Sequence, residues 1–218
     1  MYNPKHFEQH DAAAITELIH NFPLAALVTQ RGGEIEANHI PFLLEGQIAV
    51  GSRLIGHVAK MNKVWESTSP EAESLLIFQG PSAYITPNWY PSKQENHQVV
   101  PTYNYAMVHV YGKLVASHDE QVKRLVVEHL TNSMESMRPG PWSVSDAPAD
   151  YIEKMLGAIV AIGFTVTRIE AKWKISQNRP IHDKEGVAKG LSEQALTGDD
   201  RKMSLMVQAG TGIGKSKK

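Results

Sequence analysis

The segment between Gly56 and Trp65 combines side chains that an anionic ligand needs. Gly56 lets the backbone approach a ligand closely, and Lys60 supplies a positive charge. A helix that begins there would offer free N–H groups to an anion, with His57 and Asn62 as further polar contacts. These residues predict a phosphate site, although a helix cap with a surface lysine explains them too.

A second group lies on a predicted strand that begins at Pro101 and alternates strictly between two faces. Thr102 and Asn104 share one face and could bond phosphate oxygens or the polar edge of a planar ring. Tyr105 and His109 lie on the other face, which is aromatic with polar tips. Such a surface suits a planar polar ring better than a metal ion. The competing explanation is a half-buried strand with aromatic cross-strand pairs and a core histidine.

A third group follows at residues 172–179, where two lysines precede a hydroxyl and two amides. Lys172, Lys174 and Ser176 share one face if the strand continues through them, and Gln177 and Asn178 come next. Two cations and a hydroxyl on one face resemble a phosphate cradle. Lysines on an edge strand also protect against aggregation, so that interpretation stays open.

Several other chemistries find no support in the sequence. The chain has no cysteine, which excludes disulfides, thiol catalysis and cysteine-ligated zinc. Its ten histidines show no tight ligand spacing, and no G-x-S-x-G elbow suggests a catalytic triad. Residues 209–216 nearly match a phosphate-binding P-loop, but the first glycine is replaced by Ala209 and no helix can follow.

The composition indicates a globular protein without a strong charge bias. Hydrophobic residues make up 42% of the 218 residues, which is enough to bury a core. With 22 basic and 23 acidic residues, the overall charge does not support DNA binding. No apolar run approaches the roughly 20 residues of a membrane span, and the first residues form no apolar signal region. We therefore expect a soluble cytoplasmic protein.

The elements that position these groups are predicted to be mainly β. Asp11 predicts a helix N-cap, with the helix ending near Asn21, and apolar runs at 24–30, 34–44 and 47–51 predict an antiparallel meander. Further strands are predicted at 75–79, 82–86, from 101 onward, and at 158–174. Such a pattern favours a barrel or sandwich over a parallel sheet.

Helices are predicted at 57–67, 119–137, 148–157, 185–196 and 200–208. The helix at 119–137 has an apolar stripe that we expect to be buried on the sheet, formed by Val122, Leu125, Val126, Leu130 and Met134. No repeat or linker divides the chain, so we expect a single domain over residues 1–208. The Gly- and Lys-rich residues 209–218 predict a disordered tail.

Five phrases in this order resemble the PaiB family of FMN-binding split-barrel proteins. They read MYNPKHF at 1–7, LIGHVAKMNKVW at 54–65, GPSAYITPNWY at 80–90, VVPTYNYAMVHVYG at 99–112 and AKWKISQNRPIHDKEGVAKGL at 171–191. The resemblance covers about the whole chain except its last dozen residues. It implies a mainly β fold with flanking helices, built as an antiparallel Greek-key split β-barrel.

The resemblance also implies FMN as cofactor and a two-fold homodimer that builds the flavin site. It places the flavin where residues 54–65, 102–105 and 172–178 converge, with the phosphate near Lys60 or Lys172 and the ring near Tyr105 and Trp65. The implied cofactor-binding residues are His57, Lys60, Asn62, Trp65, Thr102, Asn104, Tyr105, Lys172, Ser176, Gln177 and Asn178. Lys60 and Tyr103 stand where the family usually has arginine and tryptophan, so the charge and the stacking are kept in altered form.

Three functions follow from the resemblance. Proteins of this family are described as negative transcriptional regulators, here acting through flavin or small-ligand sensing. Direct DNA binding is unsupported by charge or motif, because no helix-turn-helix with a basic recognition helix is found. An FMN-dependent oxidoreductase of the flavin reductase, pyridoxamine-phosphate oxidase or haem-degrading type is the alternative. A flavin-free binding module is the third.

Overall fold

The computed structural model describes residues 1–31, 33–67 and 72–211. These residues form two compact units. The first, the sheet unit, comprises residues within 11–78 and 108–169. The second, the terminal unit, comprises residues 1–10, 79–107 and the described part of 170–218. Whether the chain acts as the single domain predicted from its sequence stays a prediction.

Seven strands and six α-helices make up the described chain. The strands are β1 Leu24–Arg31, β2 Glu34–Pro41, β3 Leu43–Leu44, β4 Arg53–Ala59, β5 Ser74–Ile85, β6 Thr102–Ser117 and β7 Ile159–Lys174. The helices are α1 Ala12–Asn21, α2 Lys93–Asn96, α3 Glu120–Glu135, α4 Ala149–Gly157, α5 Ile181–Glu193 and α6 Gly198–Thr211. None of the helices in the described ranges is long and apolar enough to cross a membrane.

The seven described strands form one antiparallel sheet. Its strand order is β2-β1-β5-β6-β7-β4-β3, which runs from one edge to the other and is not closed among the described residues. Neighbouring strands pair in antiparallel register, for example Leu24 with Pro41 and Arg53 with Thr165. The mainly β, antiparallel prediction is confirmed.

Alternation along β6 and β7 explains how the sheet acquires a buried face. In β6 the even-numbered residues from Asn104 to Val110 are buried, while Tyr103 is 58% exposed. In β7 the side chains of Val160, Ile162 and Phe164 are almost completely buried. Because successive strand residues point to opposite faces, the apolar side chains on one face of each strand pack in the core.

The predicted meander is wrong in two places. The run 34–44 is interrupted at Phe42, whose buried side chain separates β2 from β3. Residues 47–51 form no strand, because Gly46 and Gly51 adopt left-handed backbone conformations with φ of 78° and 89° that turn the chain. The strand that pairs with β3 is β4, which begins at Arg53.

The helix predicted at 57–67 is also wrong. Residues through Ala59 continue β4, where His57 pairs with Ala161 of β7, so their backbone groups belong to the sheet ladder. Only a 3-10 helix at Lys63–Ser67 follows. A Cβ atom on Gly56 would lie 2.9 Å from the carbonyl oxygen of Pro41, so this glycine permits close packing within the protein. No helix therefore begins at Gly56 to offer its free N–H groups to an anion.

Helix α3 begins as predicted, because the Asp119 carboxylate accepts hydrogen bonds from the N–H groups of Gln121 and Val122 at 2.8 and 3.0 Å. Its apolar stripe, however, is only partly buried. Val126 and Leu130 pack in a cluster with Ile55. The predicted buried residues that are exposed instead are Val122, Leu125 and Met134.

A buried lysine explains why α3 buries a different face from the one predicted. Lys123 is 94% buried, and its ammonium donates a 2.8 Å hydrogen bond to the carbonyl oxygen of Leu156, near the end of α4. Cations stabilise the carbonyl end of a helix. Lys123, Val126 and Leu130 share one helix face, so directing Lys123 inward turns Leu125 toward solvent.

In the terminal unit, the first ten residues lie along the end of β7. The N–H of Gln9 donates to the carbonyl oxygen of Ala171 at 3.0 Å, and Glu8 forms an isolated antiparallel bridge with Lys172. Helices α5 and α6 belong to this unit as well. Helix α6 reaches Thr211, so residues 209–211 are helical and not part of a disordered tail; residues 212–218 and most of the P-loop-like stretch lie outside the described residues.

Candidate functional site

The end of β7 in the terminal unit presents a lysine that is held by two oxygen atoms. Lys174 is half-buried, and its ammonium donates hydrogen bonds to the Thr102 hydroxyl and to the Tyr103 carbonyl oxygen. Burial lowers the pKa of Lys174, and the neighbouring charges of Lys172 and Arg179 lower that pKa further. The positive charges of Lys172, Lys174 and Arg179 are therefore close enough to repel one another.

Lys172 is positioned differently from Lys174. It is 94% buried, and its ammonium donates a 3.0 Å hydrogen bond to the carbonyl oxygen of Tyr2. Three aromatic rings surround the nitrogen atom, with ring centres at 5.2 Å for Tyr105, 5.6 Å for Tyr2 and 5.9 Å for Phe7. Cation–π attraction to these rings offsets part of the lost hydration.

A strained turn follows β7. The strand ends at Lys174 and does not continue through Ser176, which adopts a left-handed conformation with φ of 64°. The buried Ser176 hydroxyl accepts a 2.8 Å hydrogen bond from the amide of Asn104. The Gln177 side chain accepts from the N–H of Ile175 at 2.8 Å and donates to the carbonyl of Trp173. Such a conformation costs roughly 1–3 kcal/mol and often marks a functional site.

Arg179 adds a third cation that the sequence prediction omitted from the site. Its guanidinium lies 4.8 Å from the ring centre of Tyr90. Within the described residues, no carboxylate forms an ion pair with Lys172, Lys174 or Arg179. Three neighbouring cations without paired carboxylates favour the binding of an anion. The Thr102 hydroxyl lies beside one of them, because it accepts a hydrogen bond from Lys174.

The sheet unit holds the other predicted residues. The Nδ1 atom of His57 is buried and has no hydrogen-bond partner in the described structure, and burial lowers the pKa of this imidazole. A buried nitrogen atom without a partner is costly unless a ligand or water supplies one. His57 therefore fits a residue that contacts a ligand through its ring.

Lys60, Asn62 and Trp65 surround the turn after β4. Lys60 is exposed, and its backbone carbonyl accepts a 3.2 Å hydrogen bond from the Trp65 indole. Asn62 donates to the side chain of Asn38 at 2.8 Å and accepts from the N–H of Val64 at 3.1 Å. The Asn62 side chain therefore stabilises the turn.

The structure brings together one predicted group within the terminal unit: Thr102, Asn104, Tyr105, Lys172, Ser176 and Gln177, with exposed Asn178 on the same turn. His57, Lys60, Asn62 and Trp65 belong to the sheet unit. The predicted convergence of residues 54–65 with the other two segments stays a prediction. Arg179 lies in the stretch 172–179 that the sequence analysis singled out, but it was not named there as a cofactor-binding residue.

Comparison with known proteins identifies the family. Residues 1–168 match the family model described as "Putative FMN-binding domain". The chain is 31% identical to the protease synthase and sporulation protein PAI 2 of Bacillus subtilis, over 89% of this chain and 90% of that protein. An uncharacterized protein of Aspergillus fumigatus is 30% identical, over 98% of this chain and 94% of the relative.

Solved structures give the fold. The FAD and heme binding protein from Mycobacterium smegmatis superposes with a TM-score of 0.58 at 18% identity, covering 84% of this chain and 80% of that one. The flavocytochrome Anf3 from Azotobacter vinelandii gives a TM-score of 0.55 at 15% identity, covering 77% and 69%. At these identities the likeness concerns the split-barrel fold alone. The family model and the Bacillus relative show that the chain belongs to the PaiB family of flavin-binding split-barrel proteins.

Proposed function

We propose that this protein binds FMN and that the terminal unit holds the FMN phosphate. The observation that carries the proposal is the cluster of Lys172, Lys174 and Arg179 without a paired carboxylate among the described residues. A phosphate supplies the negative charge that this cluster lacks. Charge-assisted hydrogen bonds to phosphate are among the strongest in proteins, at roughly 1.5–3 kcal/mol each.

Each residue of the cluster has a distinct role in this proposal. Lys174 has two of its three N–H groups bonded to Thr102 and Tyr103, so the third can donate to a phosphate oxygen. Arg179 adds its planar fork of donors. Lys172 stays buried beneath its aromatic rings and contributes through its charge. A bound anion would also raise the pKa of Lys174 toward its ordinary value.

For the sheet unit we propose, on separate grounds, that His57 contacts a ligand. The buried and unpartnered Nδ1 atom can donate to or accept from a polar ring edge, according to its tautomer. Lys60, Asn62 and Trp65 lie on the following turn of the chain and stay candidates for the same ligand. A His57→Ala variant tests the contact between His57 and a ligand without changing any residue of the terminal unit.

A titration with FMN and riboflavin tests phosphate recognition. Purified protein should bind FMN, with a change in its visible spectrum, and should bind riboflavin at least about tenfold more weakly, because riboflavin lacks the phosphate that makes these charge-assisted bonds. Equal affinity for the two flavins would contradict the phosphate site. A protein that takes up neither flavin would leave the flavin-free binding module as the better interpretation.

We further propose that the protein is a negative regulator of transcription that responds to flavin or to a small ligand. The relative named for protease synthesis and sporulation supports this role. The alternative is an FMN-dependent oxidoreductase, favoured by the flavocytochrome and by the FAD and heme binding protein that share the fold. Bound flavin would supply redox chemistry in either case. Sustained, flavin-dependent oxidation of a nicotinamide cofactor would favour the enzyme, and its absence the regulator. A cytoplasmic location stays a prediction.

We also propose a two-fold homodimer, as the family resemblance implies. Exposed aromatic side chains on the strands of the terminal unit suit an interface: Tyr84 and Tyr103 are 49% and 58% exposed, and their rings meet edge to face at 5.7 Å. Light scattering should give about twice the 24.2 kDa chain mass at micromolar concentration. A mass of one chain would contradict this.

A further inference from the structure

The ring of Tyr90 forms a buried wall beside Arg179 in the terminal unit. Tyr90 is only 2% exposed, whereas Arg179 is half-buried, and its guanidinium carbon lies 4.8 Å from the ring centre. Cation–π attraction favours such an arrangement, because a guanidinium group can lie over an aromatic ring. We propose that Tyr90 is a positioning residue that holds the guanidinium of Arg179 in place for the anionic group of a ligand. This inference rests on the phosphate site proposed above.

The segment that precedes Tyr90 is fixed to helix α5. It forms a short 3-10 helix at Pro87–Trp89, and the Trp89 indole donates a 3.1 Å hydrogen bond to the side chain of Gln194, the residue that follows α5. A Cβ atom on Gly186 of α5 would lie 2.0 Å from the carbonyl oxygen of Trp89. This glycine therefore lets the helix and the segment pack in direct contact. The residue before Tyr90 is held by both its backbone and its side chain.

The segment that follows Tyr90 is fixed to the same helix through a buried carboxylate. Asp183, in the first turn of α5, is 1% exposed. One of its oxygen atoms accepts a hydrogen bond from the N–H of Ser92 at 3.0 Å, and the other accepts from the Ser92 hydroxyl at 2.8 Å. Hydrogen bonds to a charged acceptor are stronger than those between neutral groups. Tyr90 is thus anchored to α5 on both sides along the chain.

Asp183 does not take Arg179 as a partner, although the charges of both residues act on Tyr90. Burial raises the pKa of the Tyr90 hydroxyl, the charge of Arg179 lowers that pKa, and the charge of Asp183 raises it. Asp183 nevertheless forms no ion pair with Arg179 within the described residues. Both oxygen atoms of Asp183 already accept hydrogen bonds from Ser92. The positive charge of Arg179 therefore stays available to an anionic ligand.

Positioning of Arg179 before the ligand arrives should increase its contribution to affinity. A mobile arginine side chain loses rotamer freedom when it binds an anion, and a side chain that is already placed loses less. Lys174 is placed in a comparable way, because its ammonium is bonded to the Thr102 hydroxyl and the Tyr103 carbonyl oxygen. Tyr90 acts through Arg179 in this proposal and does not itself contact the phosphate.

A double-mutant cycle tests this role. Tyr90→Leu removes the ring and Tyr90→Phe keeps it, and each is made in wild-type and in Arg179→Gln protein before titration with FMN and riboflavin. We expect Tyr90→Leu to weaken FMN binding about fivefold through the loss of the cation–π contact, and Tyr90→Phe to behave like wild type. In Arg179→Gln protein, Tyr90→Leu should have no further effect. Equal effects in both backgrounds, or an equal loss for riboflavin, would overturn the proposal.

A measurement without flavin distinguishes this inference from the proposed function. The NMR signal of the Arg179 Nε–H group, assigned by its loss in Arg179→Gln, should show a high heteronuclear NOE in wild-type and Tyr90→Phe protein and a lower one in Tyr90→Leu. Ser92→Ala should lower the NOE too, and it replaces Tyr90→Leu if that variant does not fold. An unchanged NOE would refute positioning by Tyr90. A lowered NOE, with equal affinity of wild-type protein for FMN and riboflavin, would support the positioning and refute the phosphate site.

Discussion

Replacing Lys174 with alanine is expected to weaken FMN binding by about tenfold or more, because one charge-assisted bond of roughly 1.5–3 kcal/mol is lost and ~1.4 kcal/mol is a factor of ten. Removing Arg179 as well should weaken it by about a hundredfold or more. Riboflavin binding should stay unchanged in both variants, since riboflavin has no phosphate. Isothermal titration or flavin fluorescence measures these affinities.

The control for this prediction is Lys113→Ala, which removes an exposed positive charge from the same strand that carries Thr102. It should leave FMN affinity within about twofold, because an exposed charge away from the ligand is screened by salt. If Lys174→Ala weakens FMN and riboflavin equally, the lysine maintains the structure of the site and does not contact the phosphate. If neither affinity changes, the terminal unit does not bind the phosphate.

Replacing Gly112 with alanine is expected to destabilise the fold by about 3 kcal/mol, since overpacking a dense core usually costs roughly 1–3 kcal/mol and occasionally more. A Cβ atom at Gly112 would lie 2.3 Å from the carbonyl oxygen of Thr165 and 2.4 Å from the Phe164 ring. Both contacts are shorter than real side chains tolerate, and one involves backbone, so strands β6 and β7 would have to move apart. Thermal and denaturant unfolding measure the loss.

Gly163 offers a matched control on the neighbouring strand. A Cβ atom there would meet its nearest atom, on the Arg53 guanidinium, at 3.7 Å, which is ordinary van der Waals contact. Gly163→Ala should therefore change stability by less than about 1 kcal/mol, and a small gain is expected because glycine weakens a strand. Equal destabilisation by the two substitutions would contradict the packing argument.

The sequence predicted those elements whose pattern permits a single interpretation. The alternation along β6 fits a strand alone, and the Asp119 cap with its apolar run fits a helix alone. The start of the helix predicted at 57–67 was wrong, because residues 57–59 are too few to show whether the local period is that of a helix or of a strand. Pairing with β7 decides the outcome, and pairing is not local.

The candidate site shows the same limit. Thr102, Asn104, Lys174 and Ser176 were named as candidates because each belongs to a conspicuous local pattern. The rings of Tyr2 and Phe7 around Lys172 were not, because about 170 residues separate them in the chain. The buried face of α3 was predicted incorrectly for a similar reason, because it depends on the hydrogen bond from Lys123 to the distant carbonyl oxygen of Leu156.

The assembly of the terminal unit from segments that are distant in sequence has a consequence for folding. Tyr2, which covers Lys172, lies 170 residues before it in the chain, and Asn3 lies 168 residues before Ala171, to whose carbonyl oxygen it donates. Contacts this distant in sequence form slowly, because the long intervening chain must be closed into a loop first. The enclosure of Lys172 by aromatic rings is therefore expected to be a late step of folding, and until then its ammonium stays hydrated.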